Sequence, residues 1–130
     1  MKINNKPNKP TTAELEILDV LWELESATVR EVHDVINRRK SMGYTTVLKL
    51  MQIMFEKDLV ERDASSRAHV FRARAPQVET QKNLVADLLE KAFRGSALKL
   101  VQHVLETKPA SAAELAEIRR MIQEAEAKNK

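Results

Sequence analysis

A chain of 130 residues with 43% hydrophobic side chains has room for one ordinary domain or a small one with an extension, and aromatics at 4% make its core aliphatic. The absence of cysteine excludes a disulfide framework, a thiolate metal site and a cysteine nucleophile. A net charge of +3 is too small to argue for nucleic acid by itself, so the placement of the basic residues carries that question.

With 2 Gly and 4 Pro, and long periodic segments rich in Ala, Glu, Leu and Lys, the chain is expected to be mainly α-helical. No run approaches eighteen apolar residues, and the opening Met-Lys-Ile-Asn-Asn-Lys-Pro lacks the apolar core of a signal peptide. A soluble cytoplasmic protein is the expectation. Residues 1–10 hold three Lys, three Asn and two Pro, too polar to order themselves, and read as a flexible arm.

Thr11-Thr12-Ala13-Glu14 is a capping box, in which the Thr11 hydroxyl accepts from one orphan amide and Glu14 reaches back to the Thr11 amide. The helix that follows has an apolar stripe of Leu15, Leu18, Leu21 and Trp22, with Ile17 and Leu24 beside it. Glu14, Glu16, Asp19 and Glu23 are expected to face outward. An acidic face repels phosphates, so this helix belongs behind any contact surface, with Trp22 as core filler. Thr28-Val29-Arg30-Glu31 repeats the box after Glu25–Ala27, a break with room for a turn or one rung of strand. The second helix is predicted to run to about Arg39 and to bury Val29, Val32 and Ile36, with His33 beside that stripe as an interface or core residue. Arg38, Arg39 and Lys40 close it, where cations suit the helix dipole. Ser41-Met42-Gly43 then joins two helices by a short link, the grammar of a helix-turn-helix.

The third helix, Tyr44 to Lys57, is the stretch around which the rest is organised. Val47, Leu50, Met51 and Met54 form its apolar stripe, while Thr45, Lys49, Gln52 and Glu56 lie opposite. Its outward face is short, polar and hydrogen-bonding at the N-terminal end, and carries no acid before Glu56. Such a face, with two hydroxyls and a Lys in its first two turns, suits entry into the major groove of DNA, and equally a solvated face on an amphipathic helix; the flanking sequence decides between them. Two β-compatible runs, Leu59–Asp63 and His69–Arg74, flank Ala64–Ala68. Three helices and a hairpin make the order of a winged helix, expected over residues 11–75. Four Arg and one Asp lie between Arg62 and Arg74, with Arg67 at the hairpin tip, placed to reach phosphates. Arg38 and Arg62 complete the basic set.

Pro76 starts a change of character, and residues 76–130 read as a helical dimerisation domain. Three helical runs, to Phe93, over Ser96–Glu106 and from the capped Ser111-Ala112-Ala113-Glu114, carry apolar residues with no sheet to cover them. Leu88, Leu89, Leu100, Val101, Val104, Leu115, Ile118 and Ile122 are the expected interface, and the simplest partner is a second copy of the chain. No catalytic constellation is present. His33, His69 and His103 fall in three different elements without the spacing of a metal site, there is no Gly-rich phosphate loop, and the carboxylates stand singly. Neither an enzyme nor a bound cofactor is expected.

Several runs taken together resemble a known family. They are Thr11–Leu18 leading into Val20-Leu21-Trp22, Ala27–Val32, Tyr44-Thr45-Thr46-Val47, Glu56-Lys57-Asp58-Leu59-Val60 and Arg67-Ala68-His69-Val70-Phe71. The chain is similar to the penicillinase and methicillin-resistance repressors, with the copper-responsive repressors as relatives (BlaI/MecI/CopY). That resemblance implies a homodimeric winged-helix repressor that binds palindromic operators in double-stranded DNA and dimerises through its C-terminal helices. It also implies roles in DNA contact for Tyr44, Thr45, Thr46, Lys49 and Arg67, and a sensor-linked protease as a further partner. Two departures stand out. The copper branch uses a C-terminal cysteine motif that this chain lacks, and His103-Val104 stands where the β-lactam branch is cut at an Asn-Phe bond. The alternative of another class is a winged helix used for protein interaction, for which Leu48, Ile53 and Phe55 beside the polar face would serve.

Overall fold

The computed structural model describes residues 9–65 and 67–129. The expected arm of residues 1–10 therefore lies outside the described residues, apart from Lys9 and Pro10. Both capping boxes form as anticipated. The Glu14 amide donates to the Thr11 hydroxyl and the Thr11 amide to the Glu14 carboxylate, opening α1 (Thr12–Leu24). Thr28 and Glu31 do the same for α2 (Val29–Ile36). Between them, Glu25 turns the chain at a positive φ of 70° and Ala27–Thr28 makes a two-residue strand, β1.

α2 ends at Ile36, three residues short of the expected Arg39. The reason is Asn37, whose side-chain amide donates to the carbonyls of His33 (2.9 Å) and Met42 (2.7 Å) while its oxygen accepts from the Met42 amide (3.3 Å). A side chain that bonds both ends of the turn competes with continued helix. Arg38, Arg39 and Lys40 consequently lie in the turn, and α3 (Tyr44–Glu56) begins after Gly43.

α3 closes on a left-handed residue. Asp58 has φ 63°, the Asp58 amide donates to the Phe55 carbonyl (3.1 Å) and the Leu59 amide to the Met54 carbonyl (2.9 Å), the paired bonds of a Schellman cap. This cap aims the chain into β2 (Val60–Asp63), which forms an antiparallel hairpin with β3 (Val70–Ala73). β1 adds on the other edge of β3, pairing Ala27 with Phe71, so the sheet order is β1-β3-β2. Three helices with a β-hairpin wing make the winged helix that the pattern predicted.

One aliphatic core joins these elements. Ile17, Leu18, Val20 and Leu21 of α1, Val32 and Ile36 of α2, Val47, Met51 and Met54 of α3, and Val60 and Phe71 of the sheet are all buried. Burying a side chain of this size stabilises the fold by roughly 1.5–3 kcal/mol. Trp22 is half-buried rather than central, and its indole N–H donates to the Ala75 carbonyl (2.9 Å), tying α1 to the exit of the wing.

After Pro76 come α4 (Gln77–Phe93), α5 (Ala97–Thr107) and α6 (Ala112–Lys128), with Ser96 and Ser111 capping the last two. Gly95 takes a φ of 83° after α4, and its amide bonds the Leu89 carbonyl (2.9 Å). Contacts divide the chain into two units, Met1–Val85 and Ala86–Lys130.

The outward acidic face of α1 needs one correction. Glu14 is 2% exposed, and its carboxylate accepts from the Lys57 ammonium at 2.7 Å as well as from the Thr11 amide. The helix turns this residue toward the C-terminus of α3, where Lys57 also donates to the Lys9 carbonyl (3.3 Å). Burial pushes the carboxyl up, but the Lys57 hydrogen bond, the Thr11 amide and the Lys57 charge outweigh it, and the net displacement is below the usual carboxylate range. A carboxyl depressed in the folded state contributes stability above its unfolded pKa and loses it as pH falls through the folded one. Comparing wild type with Glu14→Gln in urea unfolding, the wild-type advantage should be full near pH 7 and shrink below about pH 4. Lys57→Ala should cost about 1–3 kcal/mol at neutral pH, because it strands a buried charge.

Candidate nucleic-acid interface

The core determines which way α3 faces. With Val47, Met51 and Met54 fully buried, Thr45, Thr46, Lys49 and Gln52 are exposed, and Leu48 and Leu50 are half-buried at the margins. Tyr44 stands at the helix start, 37% exposed. No acidic residue lies in the first turn, and Gly43 supplies no capping side chain, unlike the Thr and Ser residues that cap α1, α2, α5 and α6. The first amides of α3 are therefore left to an outside acceptor, and the helix dipole favours an anionic one. Gly43 itself has an ordinary backbone, with φ −65°, and a Cβ built on it would meet nothing within 4 Å.

Neighbouring elements hold the aromatic residues at the two ends of α3. The Arg30 guanidinium of α2 lies 4.5 Å over the Tyr44 ring, and the His33 ring meets Tyr44 edge-on with centroids 5.9 Å apart. At the other end the Arg62 guanidinium of β2 lies 4.2 Å over Phe55. Arg30 was absent from the sequence-derived site. Fourteen residues separate it from Tyr44, and only the angle between α2 and α3 brings the two together.

The remaining basic residues sort into two groups. Lys40 pairs with Glu16 (3.1 Å), Lys57 with Glu14 (2.7 Å), Arg72 with Glu61 (2.8 Å) and Arg74 with Asp58 (3.6 Å). Among the described residues of the winged helix, Arg30, Arg38, Arg39, Lys49, Arg62 and Arg67 pair with no carboxylate. Thr45, Thr46 and Lys49 are thus exposed on the N-terminal half of α3, Arg62 lies over Phe55 near the helix's far end, and Arg67 stands exposed in the wing loop. Arg38 sits apart in the turn after α2, lining an open groove of about 630 Å³ with Arg39, Trp22 and the acids Asp19 and Glu23. At the base of the wing, the Ser65 amide donates to Asp63 (2.9 Å). That bond, the Ser65 hydroxyl and the Arg72 charge hold the Asp63 carboxyl below its ordinary range. Asp63 therefore shapes the loop as an anion and leaves its tip to Arg67.

Five of the eight apolar residues expected to form an interface between copies are exposed. None of the residues of α4, α5 or α6 given a burial class is buried, and Leu88, Val101, Val104, Leu115 and Ile122 are exposed, Val104 by 56% and Ile122 by 52%. Leu89, Leu100 and Ile118 are half-buried.

Comparison with known proteins settles the family. The family model described as "Penicillinase repressor" matches residues 10–124, across both units. The chain belongs to the penicillinase repressor family. Within it, the chain is 33% identical over 116 residues to a transcriptional regulator BlaI of Mycobacterium tuberculosis, covering 88% of this chain and 83% of the relative. It is 18% identical over 120 residues to a methicillin resistance regulatory protein MecI of Staphylococcus aureus, covering 92% of this chain and 98% of the relative. Because nothing inside this penicillinase-repressor fold requires Gly43, Gly43→Ser should keep or raise thermal stability by about a few tenths of a kcal/mol through a new cap. A clear fall in the unfolding midpoint would show that the glycine is needed within the chain.

Proposed function

We infer that the chain is a transcriptional repressor that binds double-stranded DNA with the exposed N-terminal face of α3 in the major groove and its wing on the adjoining backbone. The observation that carries this reading is the acid-free, uncapped start of α3, with Arg30 over Tyr44 and Lys49 exposed on the same helix, neither cation pairing with a carboxylate among the described residues. Thr45 and Thr46 suit phosphate and base-edge bonds, Lys49 suits phosphate or guanine, and Arg67, Arg62 and Arg38 suit phosphates. Its role is binding, not catalysis. No described helix is long and apolar enough to cross a membrane. The cytoplasm is the compartment this reading implies.

The reading includes a homodimer that recognises a palindromic operator. Uncovered apolar residues on α4, α5 and α6 support it, since a helical layer of this kind gains stability by burying them against a second copy. Residues 11–75 then form the DNA-binding part and 76–130 the dimerisation part. A sensor-linked protease is the partner that family resemblance adds; His103 and Val104 lie within α5, with the His103 ring 5.7 Å from Phe93, so a cut there requires that helix to open.

A mobility shift on the region upstream of its own gene should show binding that falls steeply with salt. Lys49→Ala and Arg67→Ala should each weaken it and lower the salt slope by about one unit. Absence of any retarded band at low salt would defeat the repressor reading. Light scattering should give a mass of about twice the 14.8 kDa chain, with Val101→Asp or Ile122→Asp shifting it toward monomer. A monomeric wild type at micromolar concentration would defeat the dimer.

A further inference from the structure

α3 carries one aromatic residue at its first position and another next to its last, and each lies under an arginine from a different element. Arg30 of α2 covers Tyr44 at 4.5 Å, and Arg62 of β2 covers Phe55 at 4.2 Å. Both arginines are exposed, and neither has a carboxylate partner among the described residues. For Arg30 this is notable because acids lie nearby in sequence. Glu31 is turned back onto the Thr28 amide (2.8 Å), and Asp34 faces the His33 ring nitrogen Nδ1 (3.0 Å). A guanidinium stacked by its face on a ring keeps its edge N–H donors free. Those donors fit a planar pair of phosphate oxygens, and a side chain already held in place loses less entropy on binding.

We propose that Arg30, held over the Tyr44 ring, is a phosphate-binding residue of the DNA interface, and that with Arg62 over Phe55 it forms a pair of positioned phosphate contacts at the two ends of the recognition helix. The proposal rests on the DNA-binding reading above and extends the interface onto α2. Tyr44 and Phe55 are eleven residues apart, about 16 Å along the helix axis. Successive phosphates of a strand rise about 3.4 Å along the duplex, so the two arginines engage different phosphates and act independently. Tyr44 in this arrangement positions Arg30, and His33 braces the ring from its edge.

The test is binding of the full chain to its operator and to an unrelated duplex across a salt series, with thermal unfolding of every variant. Arg30→Ala should weaken both complexes about tenfold at moderate salt and lower the salt slope by about one unit, leaving the ratio of specific to non-specific affinity unchanged. Arg30→Lys, which keeps the charge and loses the planar stack, should retain the slope and lose only about threefold in affinity. The double variant Arg30→Ala with Arg62→Ala should lower the slope by about two units. A wild-type slope in Arg30→Ala overturns the proposal, as does a loss confined to thermal stability, which would make the stack a brace between α2 and α3. If Lys49→Ala still lowers the slope in that case, the DNA-binding reading survives and only the role of Arg30 falls. If wild type shows no salt-dependent binding to any duplex, both fall together.

Discussion

Everything exposed on this molecule's candidate interface depends on the burial of Val47, Met51 and Met54. These three side chains fill one stripe of α3, and the core they enter is built from α1, α2 and the sheet. Rotating α3 by one residue would bring Leu48 toward the core and expose Val47, at a cost of roughly 1.5–3 kcal/mol per large apolar side chain uncovered. The rotation of the helix is therefore settled by packing, and the polar face with Thr45, Thr46 and Lys49 has its direction as a consequence. Met at two of the three positions suits a site where three helices and a sheet meet at irregular angles, because its unbranched chain adapts to such gaps.

Around that anchor, charge is distributed by pairing. Acids quench Lys40, Lys57, Arg72 and Arg74, whereas Arg30, Lys49 and Arg62, on and beside α3, pair with no carboxylate among the described residues. The pair of Glu14 and Lys57 belongs to the first group and is structural: it pins the end of α3 to the start of α1. The second group has its geometry set by aromatic rings and by the wing. Arg62 reaches Phe55 because the Schellman cap at Asp58 turns the chain sharply into β2. A net charge of +3 thus conceals a local separation of sign that total charge could not express.

The helices after Pro76 follow a different physical logic. Their caps are well formed, with Ser96 and Ser111 accepting from the Lys99 and Glu114 amides, and their charged faces carry the usual helical ion pairs, such as Lys91 with Asp87 (3.0 Å). Local structure is complete there, yet burial is not. A helical unit whose apolar stripes remain open gains stability by burying them, and on the proposed reading the winged helix serves recognition and the helical unit assembly.

Local rules were sufficient for much of this. Thr11 with Glu14 and Thr28 with Glu31 announce two helix starts, the stripe through Val47, Met51 and Met54 announces the third, and the spacing of the β-compatible runs announces the wing, because capping and periodicity act within a few residues. The exposure of Tyr44, Thr45, Thr46 and Lys49 follows from the same stripe. Tertiary structure alone decided what depends on residues far apart. Glu14 looked like one more outward acid until Lys57, 43 residues away, drew it inward. α2 stopped early because Asn37 could reach Met42 across a turn. Arg30 entered the interface only when α2 crossed α3 and laid its guanidinium on Tyr44. Sequence shows which side of a helix seeks burial; which charges then meet is set by the angles at which buried faces pack, and those angles are a property of the assembled core.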